Sequence, residues 1–393
     1  MDKIRLGVIG IGNQGGNYLK SAAEGKLPEV DLVAVADIDE RKFVRAKELL
    51  PDVACFSTAD ELMASGLCDA VVIATPHYFH PPMVIAALKA GLHALSEKPA
   101  GVYTKQVREA IEFSKTTDKV YAIMFQQRTN SLYKKMKEII ESGKYGEIRR
   151  VSWNITEWYR PQSYYDSGSW RATWAGEGGG VMMNQCPHQL DLLQWICGMP
   201  SKVRGFCHEG KWHNIEVEDD VTIYLEYPNG ATGTFITSTG DWPGANRLEV
   251  TLDGAQLLCD VDEEKKHHTL RICELSRPLS DFTKEAPGGF DKPKGNWITV
   301  EHDGRSAAHE MVLNAFAAHI LRGEPLVAEG PEGINGLTIA NAAFLSSWLD
   351  KTVERPIDED LYLEKLNEKI KGSSYKKNLR EQVVEDMTAS YNG

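Results

Sequence analysis

Along the first 125 residues, short apolar runs alternate with amphipathic stretches. Residues 3–9 form a β-branched apolar run that stops at a glycine cluster, and Asn17–Ala23 after it reads as a helix. Apolar runs at Leu32–Ala36, Ala70–Ala74, Leu92–Leu95 and Val120–Met124 then alternate with helical stretches near Glu40–Leu50, Pro82–Ala90 and Lys105–Ser114. Continuous apolar strands carry no polar face, so both faces of their sheet must be covered. The alternation therefore predicts a Rossmann-type α/β domain over residues 1–125, a doubly wound parallel sheet with right-handed crossovers.

Beyond Met124 the pattern changes. A helix-like stretch, Leu132–Ser142, leads into strand-like Glu147–Glu157, then an aromatic, glycine-rich segment, then strict alternation in VTIYLEY and ATGTFITST. The Asn229-Gly230 pair between the last two marks a hairpin. With Asn246–Cys259 and Trp297–Glu301, these strands predict a large, mostly antiparallel open sheet, and Ala307–Leu321 and Gly336–Leu349 supply late helices. The expected division is a cofactor domain at 1–125, an α+β substrate and oligomerisation domain at 126–357, and a charged, partly helical tail at 358–393. The polar stretch 262–296 reads as loop-rich.

Composition narrows the partners. The 393 residues carry 44 basic and 56 acidic side chains, a net charge of −12, which disfavours nucleic acid and anionic membrane surfaces. Hydrophobic residues at 42% and charged residues at 25% suit an ordinary globular chain with a sizeable core. The seven cysteines are scattered and never spaced as C-x-x-C, so no disulfide framework and no metal site is expected. No apolar stretch reaches the length of a membrane span, and glycines break the short apolar N-terminal run, so no signal peptide is read and a cytoplasmic location is expected.

Candidate chemistry begins at the first strand-to-helix turn, GVIGIGNQGG. Gly10, Gly12 and Gly15 fill the G-x-G-x-x-G pattern: one for the turn, one for backbone approach to a pyrophosphate, one for close helix packing. Asp37 ends the second strand, where a carboxylate accepts hydrogen bonds from an adenosine ribose and repels the extra phosphate of NADP; NAD is the expected cofactor. The turns ATPHYFHPP and LSEKPAG follow later strands on the ligand-binding edge, which brings in Thr75, His77, His80, Glu97 and Lys98. The expected cofactor contacts are Gly10, Gly12, Asn13, Gln14, Gly15, Asp37, Ile38, Thr75, His80, Glu97, Lys98 and Gln126. Asn184, His188 and Asp191, spaced by four and three, would share one face of a helix; the other reading has Asn184 capping that helix.

The glycine turn with Asp37, ATPHYFH, Glu97-Lys98-Pro99 and the glycine-rich approach to His188 and Asp191 together resemble the Gfo/Idh/MocA family of oxidoreductases over most of the chain. The resemblance implies dimers or tetramers built on the open sheet. It also implies a catalytic lysine at Lys98 and a histidine at His188, either of which serves as the formal base. Asn184 stands where many polyol-oxidising members carry an aspartate; a neutral amide orients substrate but cannot act as a base. Cys186-Pro187 likewise replaces a glycine-containing pair. The segment Trp158–Gly180 is similar to one in members acting on sugars and anhydrosugars, and offers Tyr159, Tyr164, Trp170, Arg171 and Trp174 to a pyranose, with Arg160 and Asp166 nearby in sequence. The implied activity is NAD-dependent oxidation of a secondary hydroxyl of a sugar, sugar derivative or cyclitol. Two alternatives stay open: an NAD-dependent glycoside hydrolase acting by transient oxidation and elimination, and a non-catalytic NAD-binding regulator.

Overall fold

The computed structural model describes residues 3–262 and 267–373. Its first sheet holds β1 (Ile4–Ile9), β2 (Val30–Ala36), β3 (Ala54–Phe56), β4 (Ala70–Ile73), β5 (His93–Ser96) and β6 (Tyr121–Ile123). All are parallel, in the order β3-β2-β1-β4-β5-β6. The intervening helices are α1 (Asn13–Ala23), α2 (Lys42–Leu49), α3 (Ala59–Ala64), α4 (His80–Lys89) and α5 (Thr104–Ser114). Every residue of β4 is buried, as a central strand covered on both faces requires. The strand order reverses between β1 and β4, which opens a crevice at the C-terminal edge of the sheet. The three-residue β3 and the six-residue α3 are additions to the expected pattern. The Thr58–Glu61 capping box that starts α3 was there to be read.

The second half contains α6 (Ser131–Glu141), β7 (Ile148–Ile155), α7 (Gln162–Asp166), α8 (Pro187–Cys197), β8 (Lys202–Glu209), β9 (Glu218–Glu226) and β10 (Thr232–Ser238). After these come β11 (Asn246–Leu252), β12 (Ala255–Asp262), β13 (His267–Leu275), α9 (Leu279–Glu285), β14 (Gly295–Thr299), α10 (His309–Arg322), α11 (Gly333–Leu349), β15 (Val353–Glu354) and α12 (Glu359–Gly372). Nine strands form one sheet in the order β14-β13-β12-β11-β7-β10-β9-β8-β15. Only the β7–β10 pair is parallel.

Four expectations change. The stretch 262–296 is not loop-rich, since β13 pairs with β12 and β14 and buries Leu270 and Ile272 between polar neighbours. Asn246–Cys259 breaks at Asp253-Gly254 into two strands. Helix α10 crosses back and packs Val312, Leu313, Phe316 and Ala317 with Leu6 and Val8 of β1, so this part of 126–357 lies on the first sheet. Helix α12 is no free tail: Tyr362 and Leu366 are fully buried, and Glu359 and Asp360 pair with Arg108 and Lys105 of α5. The remainder of the charged C-terminal stretch, 374–393, lies outside the described residues. No helix among the described residues is long and apolar enough to cross a membrane.

One ion network braces the junction of the two halves. Arg128, in the short turn Gln126–Thr129 after β6, is 2% exposed and grips Asp191 of α8 through Nε and a terminal nitrogen at 2.8 and 2.7 Å. Its other terminal nitrogen donates to Glu332 at 2.6 Å, and its plane lies over the rings of Phe125 and Trp195. Asp191 thus anchors α8 to the turn after β6. Removing Asp191 leaves the buried Arg128 guanidinium with Glu332 alone and strips Nε and one terminal nitrogen of their acceptor. Asp191→Ala is therefore expected to lower stability by about 3 kcal/mol, read from denaturant or thermal midpoints; a loss below about 1 kcal/mol would show that the network carries no such load.

Candidate active site

The first glycine turn has the shape a dinucleotide needs. Gly10 adopts φ +87°, and a Cβ there would stand 2.7 Å from the Ala74 carbonyl oxygen. A Cβ on Gly15 would meet the Gly10 carbonyl at 2.0 Å, so glycine is what lets α1 pack on β1. Nothing lies within 4 Å of the same point on Gly12, which leaves open space at the start of α1, where no side chain caps the first turn. Asn13 and Gln14 are the first residues of that helix. Asp37 is buried at the end of β2 and accepts from the Ile11 and Asp39 N–H groups, each at 2.9 Å. Lys42 Nζ sits 3.1 Å from its Oδ2, a basic partner nearer than the sequence spacing implied. Ile38 is 94% exposed beside it, an apolar platform at the crevice mouth.

Lys98 rises from the turn after β5 on a backbone held from below. Glu97 is buried, accepts from the Tyr18 hydroxyl and takes the Lys98 N–H at 3.1 Å. Burial pushes the Glu97 carboxyl above its usual range, against the pull of Lys98 and Tyr18. The His80 ring nitrogens stand 2.7 Å from the backbone carbonyl oxygens of Thr75 and Pro99, so the neutral ring donates to one of the two, set by its tautomer, and lies between the turns after β4 and β5. The Lys98 ammonium donates to the Asn184 backbone carbonyl oxygen at 3.0 Å, joining the two domains. Loss of water lowers its pKa below the ordinary lysine value, while Glu97 and Glu177 act to raise it.

The second domain supplies the facing wall. Helix α8 begins at Pro187, whose missing N–H suits a first helical position, so Asn184 neither caps it nor shares a helical face with His188. Asn184 lies in the preceding turn, with its N–H bonded to Gly180 and its side-chain Nδ2 donating to Glu177. Its Oδ1 is 3.5 Å from the Tyr164 hydroxyl. That hydroxyl also accepts from Arg171 at 2.8 Å and from Gln185 at 3.2 Å. Arg171 lies over the rings of Tyr164 and Trp170, and Trp170 meets His77 edge-on. His188 is buried with Nε2 3.0 Å from the Gln126 amide. Burial, Lys98 and His309 together hold its pKa well below 6.5, so the imidazole is neutral at pH 7.

Three buried polar atoms at this edge have no hydrogen-bond partner: Thr75 Oγ1, Gln126 Oε1 and His188 Nδ1. An orphaned buried group costs roughly 1–3 kcal/mol. Two expected substrate contacts fall elsewhere. Trp174 is core, packed on Phe344 and Trp348, and Tyr159 is exposed and meets Trp242 edge-on. Glu177 and His309 were missed. His309 starts α10, which folds back from far along the chain, and Glu177 is a single acid among glycines, so neither carries a local signal.

The profile of an oxidoreductase family with an NAD-binding Rossmann fold matches residues 4–125, and that of the GFO/IDH/MocA C-terminal domain matches residues 133–257. The chain is 23% identical to an inositol 2-dehydrogenase of Corynebacterium glutamicum, over 78% of this chain and 88% of that one. It is 29% identical to the rhizopine catabolism protein MocA of Rhizobium meliloti, over 87% and 95%. The WlbA dehydrogenase of Chromobacterium violaceum, solved with NADH and UDP-GlcNAcA, superimposes with a TM-score of 0.76 at 25% identity, covering 91% of this chain and 97% of that one. With both domains matched in order along the sequence, the chain belongs to the GFO/IDH/MocA family and is an NAD-binding oxidoreductase.

Proposed function

We propose that the protein oxidises a secondary hydroxyl of a sugar, sugar derivative or cyclitol, with NAD as the acceptor. The observation that carries this reading is the convergence of Lys98 from one domain with Asn184 and His188 from the other, beside three unpaired buried polar atoms. Gly10, Gly12 and Gly15 with the start of α1 would hold the pyrophosphate, and Asp37 the adenosine ribose. When bound, the nicotinamide supplies the hydride acceptor. Neutral His188 takes the proton of the substrate hydroxyl. The Lys98 ammonium hydrogen-bonds the same oxygen and stabilises the negative charge that grows there. Asn184 orients the hydroxyl, with Tyr164, overlain by Arg171, beside it. The inositol-oxidising and sugar-nucleotide-binding relatives support a cyclic polyol.

A panel of pyranosides, anhydrosugars and inositols with NAD tests the reading. Accumulation of NADH with a keto product is the expected result. Release of an aglycone without net NADH would replace it with redox-neutral glycoside cleavage, and tight NAD binding without turnover of any member would replace it with a binding role.

With a substrate in hand, Lys98→Ala and His188→Ala should each lower kcat by about two orders of magnitude or more, and Asn184→Ala by less. Near-normal turnover in both of the first two would move the site elsewhere. In the pH profile of kcat/KM, His188 must be neutral and Lys98 charged. The depressed His188 value places the acid limb below pH 6.5, and the depressed Lys98 value brings the alkaline limb below that of an ordinary lysine. Lys98→Arg keeps its charge throughout and should abolish the alkaline limb; its persistence would assign that limb to another group. For the cofactor, Asp37→Ala should weaken NAD binding and narrow its advantage over NADP, because the repelling carboxylate is gone and Lys42 is released toward the added phosphate. Fluorescence titration showing an unchanged ratio of dissociation constants would remove Asp37 from cofactor selection.

A further inference from the structure

Glu177 is a buried carboxylate, 2% exposed, in the glycine-rich loop that leads to the site. Its two oxygens meet only donors: the Ala172 N–H at 2.6 Å on Oε2, and the Asn184 side-chain Nδ2 on Oε1. The Arg171 guanidinium stands 4.0 Å from Oε1. Ala172, which points its N–H at this carboxylate, holds φ +55°, a left-handed conformation that alanine adopts only when its surroundings enforce it. The loop is wound around this acid.

We propose that Glu177 is a positioning residue of the active site, which locks the Asn184 amide with its carbonyl toward the substrate and supplies Lys98 with a second counter-charge beside Glu97. The inference rests on the reading that substrate binds at Lys98 and Asn184. Burial raises the Glu177 carboxyl above its usual range, while Arg171, the Ala172 N–H, Asn184 and Lys98 pull it down. In its ionised form it accepts and never donates, so the amide must turn its NH2 to Glu177 and its Oδ1 the other way, where the Tyr164 hydroxyl meets it at 3.5 Å. An amide oxygen accepts twice, so Asn184 keeps a second acceptor position for a substrate hydroxyl. A carboxylate at position 184 would face a second carboxylate at hydrogen-bond distance, so an amide there and an acid at 177 form one matched pair.

The charged surroundings of Lys98 are specific. The ammonium donates to the Asn184 backbone carbonyl at 3.0 Å and the side chain of that same residue donates to Glu177, which brings the Glu177 carboxylate to the lysine through one residue; Glu97 and Glu177 favour the ammonium and Arg171 opposes it. His77, His80, His188 and His309 also feel the lysine, and burial keeps all four neutral near pH 7. Removing the Glu177 charge should thus lower the pH at which Lys98 loses its proton.

A charge-swap series separates this role from simple stapling of the loop. Glu177→Gln should lower kcat at least tenfold, because the new amide donates to Asn184 and turns its NH2 toward the substrate, and should move the alkaline limb of kcat/KM down by about one pH unit. Asn184→Asp should be worse than Asn184→Ala, since two carboxylates then meet. The double variant Glu177→Gln/Asn184→Asp restores one acid and one amide in exchanged places, and should recover the limb and part of kcat. Additive losses, with the limb unmoved in Glu177→Gln, would overturn the proposal and leave a loop staple. Should Glu177→Gln not fold, equal activity of Asn184→Asp and Asn184→Ala would overturn it as well. The Lys98 titration, followed by NMR of lysine-labelled protein and assigned with Lys98→Arg, needs no substrate. A downward shift in Glu177→Gln that reverses in the double variant supports the counter-charge even if every sugar and cyclitol fails as a substrate, whereas an unmoved titration refutes it.

Discussion

The crevice is organised around one ammonium group that has lost water. Lys98 leaves the C-terminal end of β5 and reaches across to the second domain, where the Asn184 carbonyl holds it at 3.0 Å. Withdrawing a charge from water is costly unless opposite charge and hydrogen bonds replace the solvent. Here the replacement comes from both directions, with Glu97 in the lysine's own turn and Glu177 in the facing loop. Burial, and with it the same positive charge, depresses the neighbouring His188 imidazole, which stays neutral beside the lysine. One placement of charge thus bears on the protonation of both groups.

Holding that placement takes an arrangement of braces that never touch the chemistry. Tyr18 fixes Glu97, His80 ties the turns after β4 and β5, and the Arg128 network fixes α8 against the turn that carries Gln126. The Gln126 amide in turn meets His188. Asp191 and His80, which look catalytic by type, have their side chains engaged within the protein, Asp191 by Arg128 and Gln194 and His80 by a backbone carbonyl. His188, Gln126 and Thr75 each keep a buried polar atom without a partner.

This difference explains what the sequence made legible. Strands buried on both faces show as unbroken apolar runs, so five of the six strands of the first sheet and its glycine turn could be read directly. β13 escaped because a half-buried strand hides its apolar residues between polar ones, as Leu270 and Ile272 lie between Thr269, Arg271 and Cys273. The spacing of Asn184 and His188 suggested one helical face, yet Pro187 starts the helix between them. The resulting turn is what exposes the Asn184 carbonyl to Lys98. Lys98 and His188 were recognisable from their motifs, whereas the role of Glu177 depends on contacts with Ala172 and Asn184 made by a loop with no periodic pattern.

The two domains are also not independent in the way their order along the chain suggests. Helix α10 returns from the far side of the second sheet to pack on β1, and it brings His309 to the neighbourhood of Lys98 and His188. Its first turn is tied to the Gln126–Thr129 turn through the Ala308 N–H and the Thr129 hydroxyl at 3.1 Å. Drawing the domains apart would return Lys98 to water, remove the field of Glu177 from it and break its bond to Asn184. The charge state of the lysine is therefore a property of the assembled crevice and not of the Glu97-Lys98-Pro99 turn alone. The same turn on an isolated first domain would hold an ordinary solvated lysine.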